Sequence, residues 1–449
     1  MSLMAETPAV PTDRRALLAG IGGLAAGTFL LNSRAEAGSL TPPGAPAPTG
    51  KPLGEVEPRV AVNAINTPAN GSAVHVISQP GSYYLTSNIA VDFGQTGIEI
   101  DASNVTLDLN GFSIIGPGSA STFSTGLVVA ENGTDIVIHN GNIAEINNAV
   151  YGFGSPGRVC VRNVHVRNAE SPAIGLTSQC ILEDCTFINC WGISVGNDCR
   201  VSRCLVHAGH GIAAGPRSVV ESCQVSGTMS HGILVIGGVV EGNVVVDCAM
   251  GIYVGAGSNS VFRNNTVLNN VFAGLRVDTA GNTVSGNTVR GNGANYEFVA
   301  GNHLDLLISQ IPQTLSWPCS AKLQGTLTGV AGQSGITIVS DDVSIDLGGH
   351  ALVGASNADV DCAAILAILN PLDTEIRYYT GITVRNGSVR NWFRGVYVPR
   401  SRGALIQGVS AVDCLDEGFR GHEAAVFQDC TAVSCEVGFQ LFPGLTTGC

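Results

Sequence analysis

The sequence predicts an all-β solenoid, a parallel β-helix of roughly twenty residues per coil. Three observations predict it. An apolar–polar pattern repeats every 19 to 22 residues through the middle of the chain. A doublet of a small and then an apolar residue repeats with it. A phrase at 102–116, ASNVTLDLNGFSIIG, returns at 340–354 as SDDVSIDLGGHALVG. Self-similarity at such a period marks stacked repeats. The 58 glycines suit the frequent turns that short coils need.

Residues 1–37 read as an export signal. Arg14-Arg15 precede an apolar run, Ala16 to Leu31, and Ala35-Glu36-Ala37 offers small residues for cleavage. The twin arginine is similar to a twin-arginine-translocation signal, which a receptor reads; an uncleaved membrane anchor is the alternative. Residues 38–60 read as a Pro/Gly-rich linker. No later apolar stretch is long and charge-free enough to span a bilayer. The mature chain is expected to be secreted, periplasmic or at the cell surface.

Residues 61–300 form a first β-helical unit. Its anchor column is Asn163, Cys185, Cys204, Cys223, Asn243, Asn265 and Asn287. Three residues before each stands an apolar side chain, Cys160 to Val284, and two residues after it another, with His165 the exception. The doublet column places Val150, Ile174, Ile193, Ile212, Ile233, Ile252 and Leu275 each behind a glycine or alanine. The runs are short, β-branched and alternating, which fits strands and not helices. Stacked coils pair each strand with its equivalent about 4.8 Å above and below. A repeated asparagine tolerates left-handed backbone, and its amide can bond its counterpart one coil away. Residues 301–449 form a second unit, continuous with the first or abutting it. Val409 and Cys430 take the anchor place there.

This pattern resembles the right-handed parallel β-helix of the pectin-lyase-like superfamily, over roughly Val74 to Phe439. The phrases IDASNVTLDLNGFSIIG and VRNGSVRNWFRGVYV are similar to those of secreted bacterial β-helix repeat proteins. The resemblance implies a right-handed coil. Fold alone assigns no function.

The fourteen cysteines suggest disulfides first, but their placement favours stacked core thiols. Cys185, Cys204 and Cys223 share one inward column. Cys190, Cys248, Cys414 and Cys435 fall where other coils carry Asn168, Asn270 and Asn292. Neighbours in register have parallel Cβ vectors, which suit a disulfide poorly. Spacing offers no metal site.

A net charge of −13 argues against nucleic acid as partner. It also disfavours polyanions, unless arginines cluster or a divalent cation bridges. Trp191, His210, His231 and Met250 form a stripe along the coils, suited to stacking on sugar rings. A half-buried turn column is the plainer alternative. Gly209-His210-Gly211 matches the GHG element of polygalacturonases, but the family's NTD element and upstream DD pair are missing; Asp341-Asp342 lies far downstream. Glu221 and Glu241 should stand one coil apart, as a glycosidase pair or as part of a solvated face. Arg162, Asp184 and Arg203 read as a charge ladder of little individual weight. Arg400 and Arg402 are the nearest approach to a basic cluster, with Arg394 close in sequence, and a lyase of this superfamily would add calcium, for which no acidic cluster is in obvious register.

Two functions compete. The first is binding of polysaccharide or other envelope components along the flank, through Trp191, His210, His231, Arg394, Arg400 and Arg402. The second is a polysaccharide lyase or glycoside hydrolase with a groove site. The incomplete catalytic sets favour the first. Asp108 and Asp346 recur in equivalent coils, 238 residues apart, and are expected to bond neighbouring turns.

Overall fold

A computed structural model describes residues 58–449 apart from 119–122, 132, 155, 357–359, 369–376 and 443–444. The export signal lies outside the described residues, as does nearly all of the linker. The described chain is a right-handed parallel β-helix without α-helices. Each coil carries up to three strands. In one coil these are Ile181–Glu183, Thr186–Cys190 and Ile193–Asn197. The first two join a 28-stranded sheet; the third joins an 11-stranded sheet, followed later by a 6-stranded one. Arg59 and Val60, read as the end of the linker, already belong to the first coil: Val60 pairs with Tyr83, and Arg59 bonds Asp108.

The doublet column is found residue for residue. Val150, Ile174, Ile193, Ile212, Ile233, Ile252 and Leu275 are successive Cα partners, all buried. The anchor column holds from Cys185 to Asn287, with one correction at its start. His165 pairs with Thr186, so Val164 stands under Cys185, and Asn163 is exposed one place earlier. His165 broke the apolar pattern for this reason; Val166 is the buried residue. By the same shift Arg162 joins the row of Glu183, 3.3 Å away, and Ala169 replaces Asn168 under Cys190.

The two tasks assigned to one asparagine column belong to two. Left-handed backbone falls one place before the anchor, at Asn163 (φ 48°), Asp184 (55°), Arg203 (52°) and Asn264 (57°). It bends the chain between the first and second strands. The amide ladder lies inside. Asn243 Nδ2 donates to Asn265 Oδ1 at 3.0 Å, and Asn265 Nδ2 to Asn287 Oδ1 at 2.9 Å. Each anchor asparagine's Oδ1 also accepts a main-chain N–H of the coil before, as Asn243 does from Cys223 at 2.9 Å. Buried amides so partnered cost the core little.

All fourteen cysteines are free thiols. Cys185, Cys204 and Cys223 fill the anchor column with small apolar volume. Their mutual contacts through Cys204, together with burial, push the Cys185 and Cys223 thiols far above the usual range. A further thiol pair sits at the mouth of the first strand, Cys180 and Cys199, Sγ to Sγ 2.9 Å.

The echoed phrases occupy equivalent coils. Gly81–Leu85, Val105–Asp108 and Ser113–Ile115 return as Cys319–Leu323, Val343–Asp346 and Ala351–Val353. The third strand row ends at Ala294–Phe298 and restarts at Gln313–Leu315. The first row runs on without a break: Asp305 pairs with Ser320 and Leu306 with Ala321. Asp108 and Asp346 do the same structural work. Each accepts the main-chain N–H two residues on, from Asn110 at 2.8 Å and Gly348 at 2.9 Å. Each is also met by a left-handed asparagine of the next coil, Asn140 at 3.4 Å and Asn386 at 3.3 Å. The glycine after that asparagine is required in both copies. A Cβ on Gly141 would lie 2.3 Å from Leu109 Cβ, and one on Gly387 2.4 Å from Leu347 Cβ. Of the insertion read at Asp359 to Tyr379, residues 359 and 369–376 lie outside the described residues. Its end is pinned: Tyr379 is buried and bridges Ser401.

Candidate functional site

The stripe lies where the second strand turns into the third. Trp191 N–H donates to Ala169 O at 2.8 Å, and His210 N–H to Cys190 O at 3.1 Å, so both residues hold one place in successive coils. Their rings stack at 4.1 Å with 14° between planes. The turn beneath is tight. A Cβ on Gly192 would lie 2.3 Å from Gly211 O, and one on Gly211 2.0 Å from Gly232 O. Any side chain there would push the coils apart and separate the rings.

The next turn is two residues longer, with Met229 and Ser230 inserted before His231. His231 therefore shifts onto the third strand, where it pairs in register with Met250. Its ring stacks on Tyr253 at 4.8 Å and not on His210. Tyr253 Oη donates to Asp278 at 3.1 Å, and Arg276 Nε bonds the same carboxylate at 3.0 Å. Burial, then the charges of Arg276 and His210, hold the His231 imidazole below its ordinary value of 6.5.

Trp191, His210 and His231 converge on one cavity of about 220 Å³, closed by Pro172 and Leu234. Trp191 and His210 also border a cavity of about 520 Å³ that contains Glu145, Asn168, Glu170 and Met229. A third, again about 520 Å³, lies between Trp191, Pro172 and the exposed ring of Phe123. Trp191 is thus the common wall of a groove that runs over several coils. The residue is 53% exposed. The floor of the cavity lined by Glu145 is a directed ladder: Asn189 Nδ2 donates to Asn168 Oδ1 at 2.8 Å, and Asn168 Nδ2 to Glu145 Oε1 at 2.5 Å. Sequence reasoning missed Glu145, which stands in the left-handed column with Asn168 and Asn189 (φ 54°, 53°, 55°). Placing Asn168 inward hid that column.

The arginines named with the stripe do not form one cluster. Arg394 is 18% exposed, donates to Asp416 at 3.0 Å and Asp361 at 3.1 Å, and forms an ion pair with Glu417 at 3.3 Å without a hydrogen bond. The Tyr397 ring is met by both Arg394, 4.5 Å from its centre, and Arg420, 5.3 Å away. Arg420 bonds Glu417 as well, at 3.0 Å. Burial pushes the Glu417 carboxyl above its ordinary value. Arg400 and Arg402 instead face Tyr378, 5.7 and 4.8 Å from its centre, and Arg402 pairs with Glu423.

The other carboxylates singled out are neutralised. Glu221 and Glu241 are register neighbours, but Glu221 bonds Arg200, and Glu241 bonds Arg263 at 2.6 Å. Asp184 bonds Arg203 at 2.7 Å. Asp341 accepts from Thr380 N–H at 2.7 Å and pairs with Arg377, while Asp342 is a left-handed turn residue. Among the described residues no group of three His, Cys, Asp or Glu side chains could hold a metal ion, and no helix is long and apolar enough to cross a membrane.

Residues 191–305 match the family model described as the right-handed beta helix region. A search of curated proteins gives no match. Among solved structures the chain is similar to a periplasmic alginate epimerase, AlgG, at 9% identity and a TM-score of 0.30, over 86% of this chain and 81% of that one. It is similar to a tailspike protein of E. coli bacteriophage HK620 in complex with pentasaccharide, at 15% identity and a TM-score of 0.31, over 85% and 79%. It is also similar to the catalytic domain of a GH87 alpha-1,3-glucanase in complex with tetrasaccharides, at 15% and 0.27, over 91% and 70%. The register and sheet order above, with the family-model match over residues 191–305, give the described chain the fold of a right-handed parallel β-helix repeat protein.

Proposed function

We propose that the chain binds a polysaccharide along its flank, in the groove walled by Trp191, and that it does so outside the cytoplasm, where the Arg14-Arg15 segment would send it. The observation that carries this reading is the parallel stack of Trp191 on His210, half open to solvent and flanked by cavities on both sides. A sugar ring has an apolar face that packs on an aromatic ring and a rim of hydroxyls that needs hydrogen-bond partners. Trp191 supplies the first requirement. Asn168, Asn189 and Glu145 supply the second. The groove runs along the coil axis, so successive coils offer the same backbone geometry to successive rings. The test is a glycan array followed by titration calorimetry on the full chain. A glycan that binds the native protein and loses at least fivefold affinity in Trp191→Ala supports the reading. Binding that is indifferent to Trp191, or none to any glycan, overturns it.

A further inference from the structure

The groove's charge narrows what it can hold. Most carboxylates along the coil flanks face an arginine: Asp135 faces Arg158 at 2.5 Å, Asp184 faces Arg203 at 2.7 Å, and Asp198 faces Arg217 at 2.5 Å. The cavity between Trp191 and Asn168 breaks this habit. Glu145 and Glu170 both line it, and neither arginine nor lysine lines any of the three cavities that Trp191 borders. Glu145 accepts one bond, from Asn168, which leaves its other oxygen for the cavity. Glu170 makes a main-chain bond to Ile146 O and is exposed at the rim. Asn189 and Asn168 both point their amides toward Glu145, so the ladder's acceptor end is the carboxylate itself. The two neighbouring side chains are Trp191, whose ring face attracts cations, and His210. The whole molecule carries −13.

We propose that the Trp191 groove selects a glycan bearing free amino groups, with Glu145 and Glu170 as counter-charges for a protonated sugar amine, and that it rejects uronates. This rests on the polysaccharide reading above and assigns the substrate class of that same site. An ammonium beside a sugar ring on Trp191 would replace water with Glu145, a charge-assisted bond. A uronate carboxylate in the same place would meet two like charges in a cavity that neither arginine nor lysine lines. Exposure of Glu170 makes part of the attraction long-range and screened by salt, over about 10 Å at 0.1 M.

The experiment compares three oligosaccharides of equal length on the full chain by calorimetry: a glucosamine oligomer, its fully N-acetylated counterpart and an oligogalacturonate. The glucosamine oligomer should bind at least fivefold more tightly than the acetylated one at low salt. The gap should shrink at 0.5 M salt and close in Glu145→Gln, whose amide oxygen still accepts from Asn168. Glu170→Gln, at an exposed rim position, should close part of the gap without any change in melting temperature. Equal affinity for the amino and acetylated oligomers, lost in Trp191→Ala, would overturn the amine assignment and leave the groove as a neutral-glycan site. Tighter binding of the oligogalacturonate would overturn it as well. Failure of all three to bind overturns this assignment alone; the polysaccharide reading beneath it falls only if the glycan array also gives no Trp191-dependent binder.

Discussion

The Trp191 groove and the Arg394 network lie at comparable places on their coils, and both combine rings with charged groups. They differ in how fully those groups are used. In the network Arg394 is mostly covered, pairs with three carboxylates and packs on Tyr397, and Arg420 lies over the same ring at 5.3 Å. Both guanidinium groups have carboxylate partners and both lie over the Tyr397 ring, and of the network's carboxylate oxygens Glu417 Oε2 is buried without a hydrogen bond. In the groove Trp191 is half exposed, Glu170 has no cation, and the cavities are open. An assembly that satisfies itself contributes stability and offers little to a ligand. One with open faces contributes little stability and can bind. The contrast predicts that substitutions in the two places act on different measurements.

The largest effect belongs to Arg394→Ala. It leaves the buried Glu417 carboxylate with Arg420 alone, and Asp416 without its 3.0 Å partner. Removing one partner of a buried pair costs about 3–5 kcal/mol; with Arg394 part-exposed, about 2 kcal/mol is expected, read as a lower urea midpoint, with glycan affinity unchanged. Adding Glu417→Gln should return part of the loss, because the stranded charge goes with it. Trp191→Ala should do the reverse. Affinity should fall about tenfold, or about 1.4 kcal/mol, while the midpoint moves little. Equal destabilisation by both substitutions would erase the distinction between the two sites.

How much of this was legible in the sequence depends on what the signal repeats. The doublet column could be read residue for residue because Gly192, Gly211, Gly232 and their equivalents are fixed by close contact with the next coil and recur in most coils, with Ala149 and Ala173 in two others. The anchor column slipped by one at Asn163 because asparagine serves both the left-handed corner and the inner ladder. The residue type is the same, and only the register separates the two places. The stripe was legible as far as Trp191 and His210. His231 departed because its turn is two residues longer, and its partner Tyr253 lies on the following coil. The arginines were grouped by nearness along the chain, and a coil of some twenty residues carried Arg394 to one ring and Arg400 and Arg402 to another. Glu145 gave no signal, because a lone carboxylate in a corner column shows its role only once the cavity above it is seen.

A smaller effect separates the groove from its own far end. Tyr253 stacks on His231 and donates to Asp278. Tyr253→Phe keeps the ring and removes the bond, so it should cost about 1 kcal/mol by denaturation while glycan affinity stays within twofold. A larger loss of affinity would extend the binding surface past His231 toward Arg276.

The least effect expected is also the one in which the two sites differ in sign. His231 is held below its ordinary 6.5 by burial and by the charges of Arg276 and His210. The unfolded chain therefore takes up a proton there before the folded one does. Its contribution to stability is intact above 6.5 and is lost as pH falls through the folded value. Glu417 is held above its ordinary 4.5 by burial. The folded state keeps that proton longer than the unfolded chain, so its contribution is intact below 4.5 and is lost as pH rises through the folded value. Melting curves of the native chain against His231→Gln should diverge only on the acid side of 6.5. Those against Glu417→Gln should diverge as the pH climbs from 4.5. Acidification from neutrality therefore loosens the open site and relieves the closed one, since the first buries an imidazole that resists its charge and the second a carboxylate that carries one at a cost.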